Sequence, residues 1–143
     1  MILPDINLIV YAYNEDAPFH LPAKAWWEQC LSGNEPVGLA WAVILGFVRL
    51  MSNRRVLAKP MSAAQAVDHC RSWIVQPNVR IVLPGPTHLN IFTELLAGPM
   101  GPNLVTDAHL AALAIEHQAE LHSNDTDFSR FSGLAWRNPV AKT

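Results

Sequence analysis

Short apolar stretches alternate along this chain with longer runs whose apolar residues recur at helical spacing. Ile2–Leu3 reads as a short buried strand that ends at Pro4-Asp5. A helix is expected over Asn7–Tyr13 and another over His20–Leu31, which starts near Pro22 and stops at Ser32-Gly33. Val37–Ala40 is a strand candidate, and the apolar run Trp41–Met51 reads as a buried helix. Ser62–Val75 is a further helix with Ser62 as its N-cap. Val79–Leu83 is a short strand and Thr87–Ala97 a helix. A Gly/Pro loop, Gly98–Pro102, leads into a helix over Thr106–Gln118. Ala119–Ser123 is the last core strand, followed by a polar turn, Asn124–Asp127. Short apolar strands separated by helices predict an α/β fold with a parallel sheet. In such sheets ligands bind beyond the carboxyl ends of the strands.

Composition narrows the class. Half of the 143 residues are apolar and 15% are charged, enough to build the core of one domain. The net charge of −2 is not that of a generally basic nucleic-acid binder, so contact with a polyanion has to rely on local patches or on a bound cation. Cys30 and Cys70 fall inside helical runs with no C-x-x-C spacing, which predicts buried thiols rather than a disulfide or zinc site. The start has no basic segment, and Asp5 and Asn7 interrupt its apolar run, so no signal peptide is expected. The longest apolar run, near Leu39–Val48, is too short for a membrane span. These features predict a cytoplasmic protein.

Carboxylates stand at the ends of three separate apolar elements. Asp5 ends the first strand, Asp107 opens the Ala-rich helix, and Asp125 and Asp127 follow the last strand. Each has an ordinary structural explanation. Asp5 and Asp107 could be helix N-caps, although Thr106 could cap in place of Asp107, and Asp125-Thr126-Asp127 could be an Asx turn. The helix face shared by Asp107, Leu110, Ala111, Ala114 and Ile115 is apolar, however, so Asp107 should be partly buried. If the first and last strands are neighbours, the three sites converge. Like charges so close do not all stay ionised without a cation among them. An all-oxygen cluster suits Mg²⁺ or Mn²⁺ rather than zinc, and such an ion serves in-line displacement at phosphate.

Other signals are weaker. The six histidines form no H-x-x-x-H pattern, and His109 reads as a solitary histidine on a helix surface. No P-loop, dinucleotide or nucleophile-elbow motif is present. Arg49, Arg54, Arg55 and Lys59 flank the end of the middle helix, either as a solvated face or as a phosphate-contacting rim; Arg54 and Arg55 are the RNA-binding candidates. Adjacent Trp26 and Trp27 cannot both face one side of a helix, which leaves at least one to cover an interface.

Three segments together resemble PIN domains. They are Pro4-Asp5-Ile6-Asn7-Leu8, Thr106-Asp107-Ala108-His109-Leu110-Ala111-Ala112-Leu113-Ala114, and Asn124-Asp125-Thr126-Asp127-Phe128-Ser129-Arg130-Phe131. With Gly46-Phe47-Val48-Arg49-Leu50, Asn53 and Arg55, the chain is similar to VapC-type toxins of the actinobacterial kind. The resemblance spans essentially residues 1–143 as one PIN domain. It implies an α/β/α sandwich on a parallel sheet of about five strands, and a Mg²⁺- or Mn²⁺-dependent endoribonuclease acting on tRNA or rRNA. It also implies a VapB-like antitoxin that occludes the site, and a homodimer. Asp5 and Asp107 would be the principal metal ligands, Asp125 the next, and Asp127 a support. An exposed apolar surface including Trp26 or Trp27 would receive an antitoxin helix.

One departure stands out. Many PIN domains carry a glutamate on the middle helix, where this chain has Gly46. With one carboxylate fewer, a single metal is expected to bind well between Asp5 and Asp107, and a second weakly; Glu94 is a possible substitute or simply a solvated residue. Gly46 also leaves open a catalytically weak PIN-like module that acts by binding RNA or a partner. A nuclease acting on DNA is the third reading.

Overall fold

In the computed structural model, which describes residues 1–98 and 101–141, a five-stranded sheet is flanked by six helices. The elements in chain order are β1 (Ile2–Pro4), α1 (Ile6–Tyr13), α2 (His20–Ser32), β2 (Val37–Ala40), α3 (Trp41–Met51), α4 (Ala63–Ile74), β3 (Val79–Val82), α5 (His88–Leu95), α6 (Val105–Glu116), β4 (Glu120–His122) and β5 (Trp136–Arg137). Single 3₁₀ turns at Pro102–Leu104 and Thr126–Arg130 precede α6 and follow β4. The strand order is β3-β2-β1-β4-β5, and every pairing is parallel. β1 therefore lies at the centre, with its successor β2 on one side and β4 on the other. That reversal of strand order is the topological switch point, where open parallel sheets form their crevice.

Strands this short hold only because both faces are covered. β1 and β2 are buried throughout, and Leu3, Val37, Leu39 and Leu121 have no solvent exposure. On the side of α1 to α4 the core is aromatic. Trp73 is fully buried, with its ring 4.7 Å from Phe47, 5.4 Å from Trp27 and 5.9 Å from Tyr13, and its indole Nε1–H donates to Tyr13 Oη at 2.8 Å. Asn78, at the entry to β3, donates from Nδ2 to the carbonyls of Cys30 and Glu35 and so ties the end of α2 to the strand beyond it. Ser62 and Gln65 form the capping box that starts α4, as the Ser62 N-cap predicted.

Several expectations change. Four strands were visible in the apolar pattern; the fifth, Trp136–Arg137, is two residues long at the edge and carries no apolar run. Trp26 and Trp27 are 8% and 2% exposed, so neither offers the free apolar surface expected of them. Tertiary contacts absorb both: Trp27 packs on Trp73, and Trp26 donates from Nε1 to His122 Nδ1 at 3.0 Å. That bond leaves the proton of neutral His122 on Nε2, which donates to Glu120 Oε1 at 2.8 Å. The expected loop Gly98–Pro102 includes residues 99 and 100, which lie outside the described residues. Both cysteines are buried free thiols. No helix among the described residues is long and apolar enough to cross a membrane.

Trp73 is the largest fully buried side chain and the centre of the aromatic cluster, with Phe47, Trp27 and Tyr13 around it. Trp73→Ala should cost about 3–5 kcal/mol of unfolding free energy, read from the denaturant midpoint at constant m-value. A loss below 1 kcal/mol would show that the cluster is not tightly packed.

Candidate functional site

The acidic residues meet where β1 and β4 end. Register pairs Leu3 with Leu121 and Pro4 with His122, so Asp5 and Ser123 follow side by side on the same face of the sheet. Asp5 is the N-cap of α1, its Oδ1 accepting from the Ile6 backbone N–H at 2.7 Å. Its Oδ2 accepts from the Ser123 hydroxyl, also at 2.7 Å. The same hydroxyl oxygen accepts the backbone N–H of Asp125 at 3.0 Å. One fully buried serine thus joins Asp5 on β1 to the turn that carries Asp125. Asp125 Oδ1 accepts from the Asp127 backbone N–H at 2.9 Å and caps the 3₁₀ turn. Asp127 is more open, and its carboxylate lies 3.6 Å from Arg130 Nε.

Asp107 arrives from a third direction. α6 begins at Val105, and its capping position is Leu104, which makes no side-chain bond. Asp107 therefore sits inside the first turn and is not the N-cap, and neither is Thr106. Its carboxylate has no hydrogen-bond donor and no cationic partner among the described residues. Burial, and then the like charges of Asp5, Asp125 and Asp127, push its carboxyl up to about 6. Burial also raises Asp5, opposed by the bonds from Ser123 and Ile6 and reinforced by Asp125. The four aspartates thus share one electrostatic neighbourhood. They are not drawn into a finished ligand shell: among the described residues no group of three or more His, Cys, Asp or Glu side chains is placed to hold a metal ion.

The donor set nevertheless fits a hard divalent cation. The groups facing one another are carboxylate oxygens, one of them without any partner. Asn7, in the same first turn as Ile6, keeps a buried Oδ1 with no donor. Oxygens and uncompensated negative charge are what Mg²⁺ or Mn²⁺ requires.

The remaining candidates lie elsewhere. Arg54 and Arg55 are exposed in the turn after α3, the Arg55 N–H donating to Asn53 Oδ1. α3 starts at the carboxyl edge of the sheet and runs back along it for 11 residues, about 16 Å of helix. The two arginines follow its far end. Glu94 is exposed on α5 with no bond to the aspartates. A Cβ at Gly46 would lie 3.3 Å from Ile6 Cγ1, so the residue beside Asp5 fills the space where a side chain at 46 would go. His109 is not solitary: its Nδ1 is 3.0 Å from Nε2 of the buried His88 on α5. Burial and the neighbouring His88 lower the His109 pKa. Sequence reasoning missed Ser123 and Trp136, whose Nε1–H donates to the Ser123 carbonyl at 3.1 Å. Nothing local marks either one, because each acts through strand pairing.

Fold and site together define a parallel α/β domain with an aspartate-lined crevice at its switch point. A family model described as PIN domain matches residues 2–134. Ribonuclease VapC33 of Mycobacterium tuberculosis (strain ATCC 25618 / H37Rv) is 44% identical over 142 residues, covering 98% of this chain and 99% of the relative. Ribonuclease VapC37 of the same organism is 39% identical over 142 residues, with 99% of each covered. Among solved structures, VapBC2 from Rickettsia felis bound to a promoter DNA fragment matches with a TM-score of 0.67 and 19% identity, over 96% of this chain and 98% of that one. Mycobacterium tuberculosis VapC20, described as a Sarcin-Ricin loop cleaving toxin, matches with a TM-score of 0.67 and 19% identity, over 94% and 99%. The chain belongs to the PIN-domain family, in its VapC branch.

The charge on Asp107 has a measurable consequence. A carboxyl raised in the folded state favours folding fully below its unfolded value of 3.8, and that contribution is lost as pH rises to about 6. In metal-free buffer, parent stability should therefore decline from pH 4 to pH 7 relative to Asp107→Asn. The variant should be the more stable of the two at pH 7. Parallel stability profiles over that window would show that Asp107 does not feel its neighbours.

Proposed function

We propose that this protein is a metal-dependent endoribonuclease and the toxin of a toxin–antitoxin pair. The observation that carries the reading is Asp107, a half-buried carboxylate at the switch-point crevice with no counter-ion among the described residues, its pKa raised by burial and then by three other aspartates. The names of its close relatives, ribonucleases of the VapC group, support RNA as the substrate, and structured RNA of the tRNA or rRNA kind is the form expected. Asp5 and Asp107 would hold Mg²⁺ or Mn²⁺, with Asp125 beside them and Asp127 in support. When bound, the ion supplies an activated water and offsets the charge that develops on phosphate.

The chain's own residues set up that chemistry. The Ser123 hydroxyl and the Ile6 N–H hold the Asp5 carboxylate in one orientation and favour its ionised form. Ser123 also accepts the Asp125 backbone N–H, so one hydroxyl links the Asp5 carboxylate to the turn that carries Asp125. Unneutralised, these charges repel an RNA phosphate. Substrate binding is therefore coupled to offsetting them.

An antitoxin is the natural means of control. An arginine reaching the aspartates would take over the cation's electrostatic role. Similar solved structures are toxin–antitoxin assemblies, among them VapBC-1 from nontypeable Haemophilus influenzae. An RNA substrate would put the action in the cytoplasm, and the family resemblance implies a homodimer. Gly46 supports the competing reading, a weakly catalytic module that binds RNA or a partner.

Purified protein should cleave RNA with Mg²⁺ and lose that activity with a chelator, Mn²⁺ restoring it at least as well. Asp5→Asn should reduce cleavage at least 100-fold with unchanged circular dichroism. A folded Asp5→Asn variant that cleaves at the parent rate, or metal-independent cleavage by the parent, sinks the metal-site assignment.

A second outcome concerns the missing carboxylate. In Gly46→Glu the Ile6 side chain has to shift by a few tenths of an ångström, and the new carboxylate then adds charge near Asp5. The Mg²⁺ midpoint of cleavage should move to lower concentration in the folded variant. An unchanged midpoint would show that position 46 does not face the crevice.

A further inference from the structure

The chain has 12 aromatic residues, all within the described part. Eleven are buried or half-buried, and Trp41 alone is exposed, at 52% of its surface. A tryptophan is a costly residue to leave in water, and this one packs into no described cluster. Its position is set by the sheet. The β1–β2 register pairs Ile2 with Val37, and carried on in parallel it sets Ala40, the last residue of β2, toward Asp5, just past the end of β1. Trp41 follows Ala40 directly as the first residue of α3. The Ile6 side chain beside Asp5 packs against Gly46, midway along the same helix, which joins the first turn of α1 to the middle of α3. The one exposed aromatic ring therefore lies at the carboxyl edge of the sheet, immediately beside the strand that carries Asp5.

Charge around the crevice does not favour RNA. The aspartates are negative, Arg130 is shared with Asp127, and Arg54 and Arg55 follow the far end of α3. Proteins that hold single-stranded nucleic acid add stacking on aromatic side chains to electrostatic attraction, and stacking tolerates any base. Leu45, one turn after Trp41 and 62% exposed, widens the apolar surface, and exposed Arg49 follows one turn later.

We propose that Trp41 is a stacking platform for an unpaired RNA base next to the phosphate that enters the aspartate crevice. The proposal rests on the ribonuclease reading and names the part of the substrate that the crevice itself cannot grip. Trp41 touches substrate without touching the reacting atoms, so it governs affinity and the choice of cleavage position in unpaired RNA, not the chemical step.

The test compares the parent, Trp41→Ala and Trp41→Phe on a single-stranded RNA oligonucleotide with Mg²⁺, folding being checked by circular dichroism. For Trp41→Ala the KM should rise about 5- to 150-fold, with kcat at saturating RNA within about twofold of the parent. Trp41→Phe should recover most of the affinity. Replacing the stacked nucleotide by an abasic one should weaken the parent and leave Trp41→Ala little changed. In an Asp107→Asn background, RNA should quench tryptophan emission, and the Trp41→Ala change should abolish that quenching. If the parent cleaves and Trp41→Ala matches its KM, the proposal is overturned. The same holds if the variant only converts a dimer to a monomer at unchanged RNA affinity, since the face then belongs to a second copy of the chain. A parent that neither binds nor cleaves any RNA overturns the ribonuclease reading, and this proposal with it.

Discussion

Asp5 is a carboxylate at 5% exposure, at the top of the central strand, and the arrangement around it is a response to that charge. Burial alone would neutralise it. Two donors oppose this, the Ile6 backbone N–H and the Ser123 hydroxyl. The first is available because the strand turns directly into a helix. The second is available because β4 pairs with β1 in a register that sets Ser123 alongside. A slip of one residue would turn Ser123 to the other face of the sheet and leave Asp5 without its second donor. Trp136, on the edge strand, holds the Ser123 carbonyl. Even the two-residue β5 thus contributes to the orientation of a carboxylate two strands away.

The crevice is held together by its backbone and pushed apart by its charges. Asp5 and Asp125 are fixed through caps and turn bonds, whereas the Asp107 carboxylate has no hydrogen-bond or cationic partner among the described residues, and burial together with the neighbouring carboxylates raises its pKa. The ordinary structural roles and the functional one coexist in Asp5 and Asp125: each caps a helical turn with one oxygen and faces the cluster as well. Asp107 differs. The 3₁₀ turn Pro102–Leu104 runs into α6 and moves the start of the helix ahead of it, which frees its side chain from capping.

Packing accounts for several residues that looked like surface features. The paired tryptophans of α2 divide between the aromatic core and the His122 bond, so both are consumed inside the domain. His109 joins His88, linking α6 to α5 behind the crevice. Gly46 accommodates Ile6, and the branched side chain next to Asp5 takes the space a longer residue at 46 would need. Trp41 has no such role and remains in solvent at the carboxyl edge of the sheet.

The linear sequence carries the α/β class, the order of the helices, four of the five strands and the aspartates at the ends of three apolar elements. Those features are local: apolar periodicity, capping residues and a charge where an apolar run stops. It also determined the family, because the segments around Asp5, Asp107 and Asp125 keep their types and spacing. Folding alone makes β1 and β4 neighbours, and that pairing brings those carboxylates to one crevice. Strand pairing is non-local, so no window of sequence contains it. The same holds for Ser123, whose role exists only across the β1–β4 pairing, and for β5, which has too few residues to leave a pattern. Which tryptophan stays exposed was likewise decided by packing. Trp26, Trp27 and Trp73 find partners from distant elements, and Trp41, at the first position of its helix, keeps about half its surface in solvent.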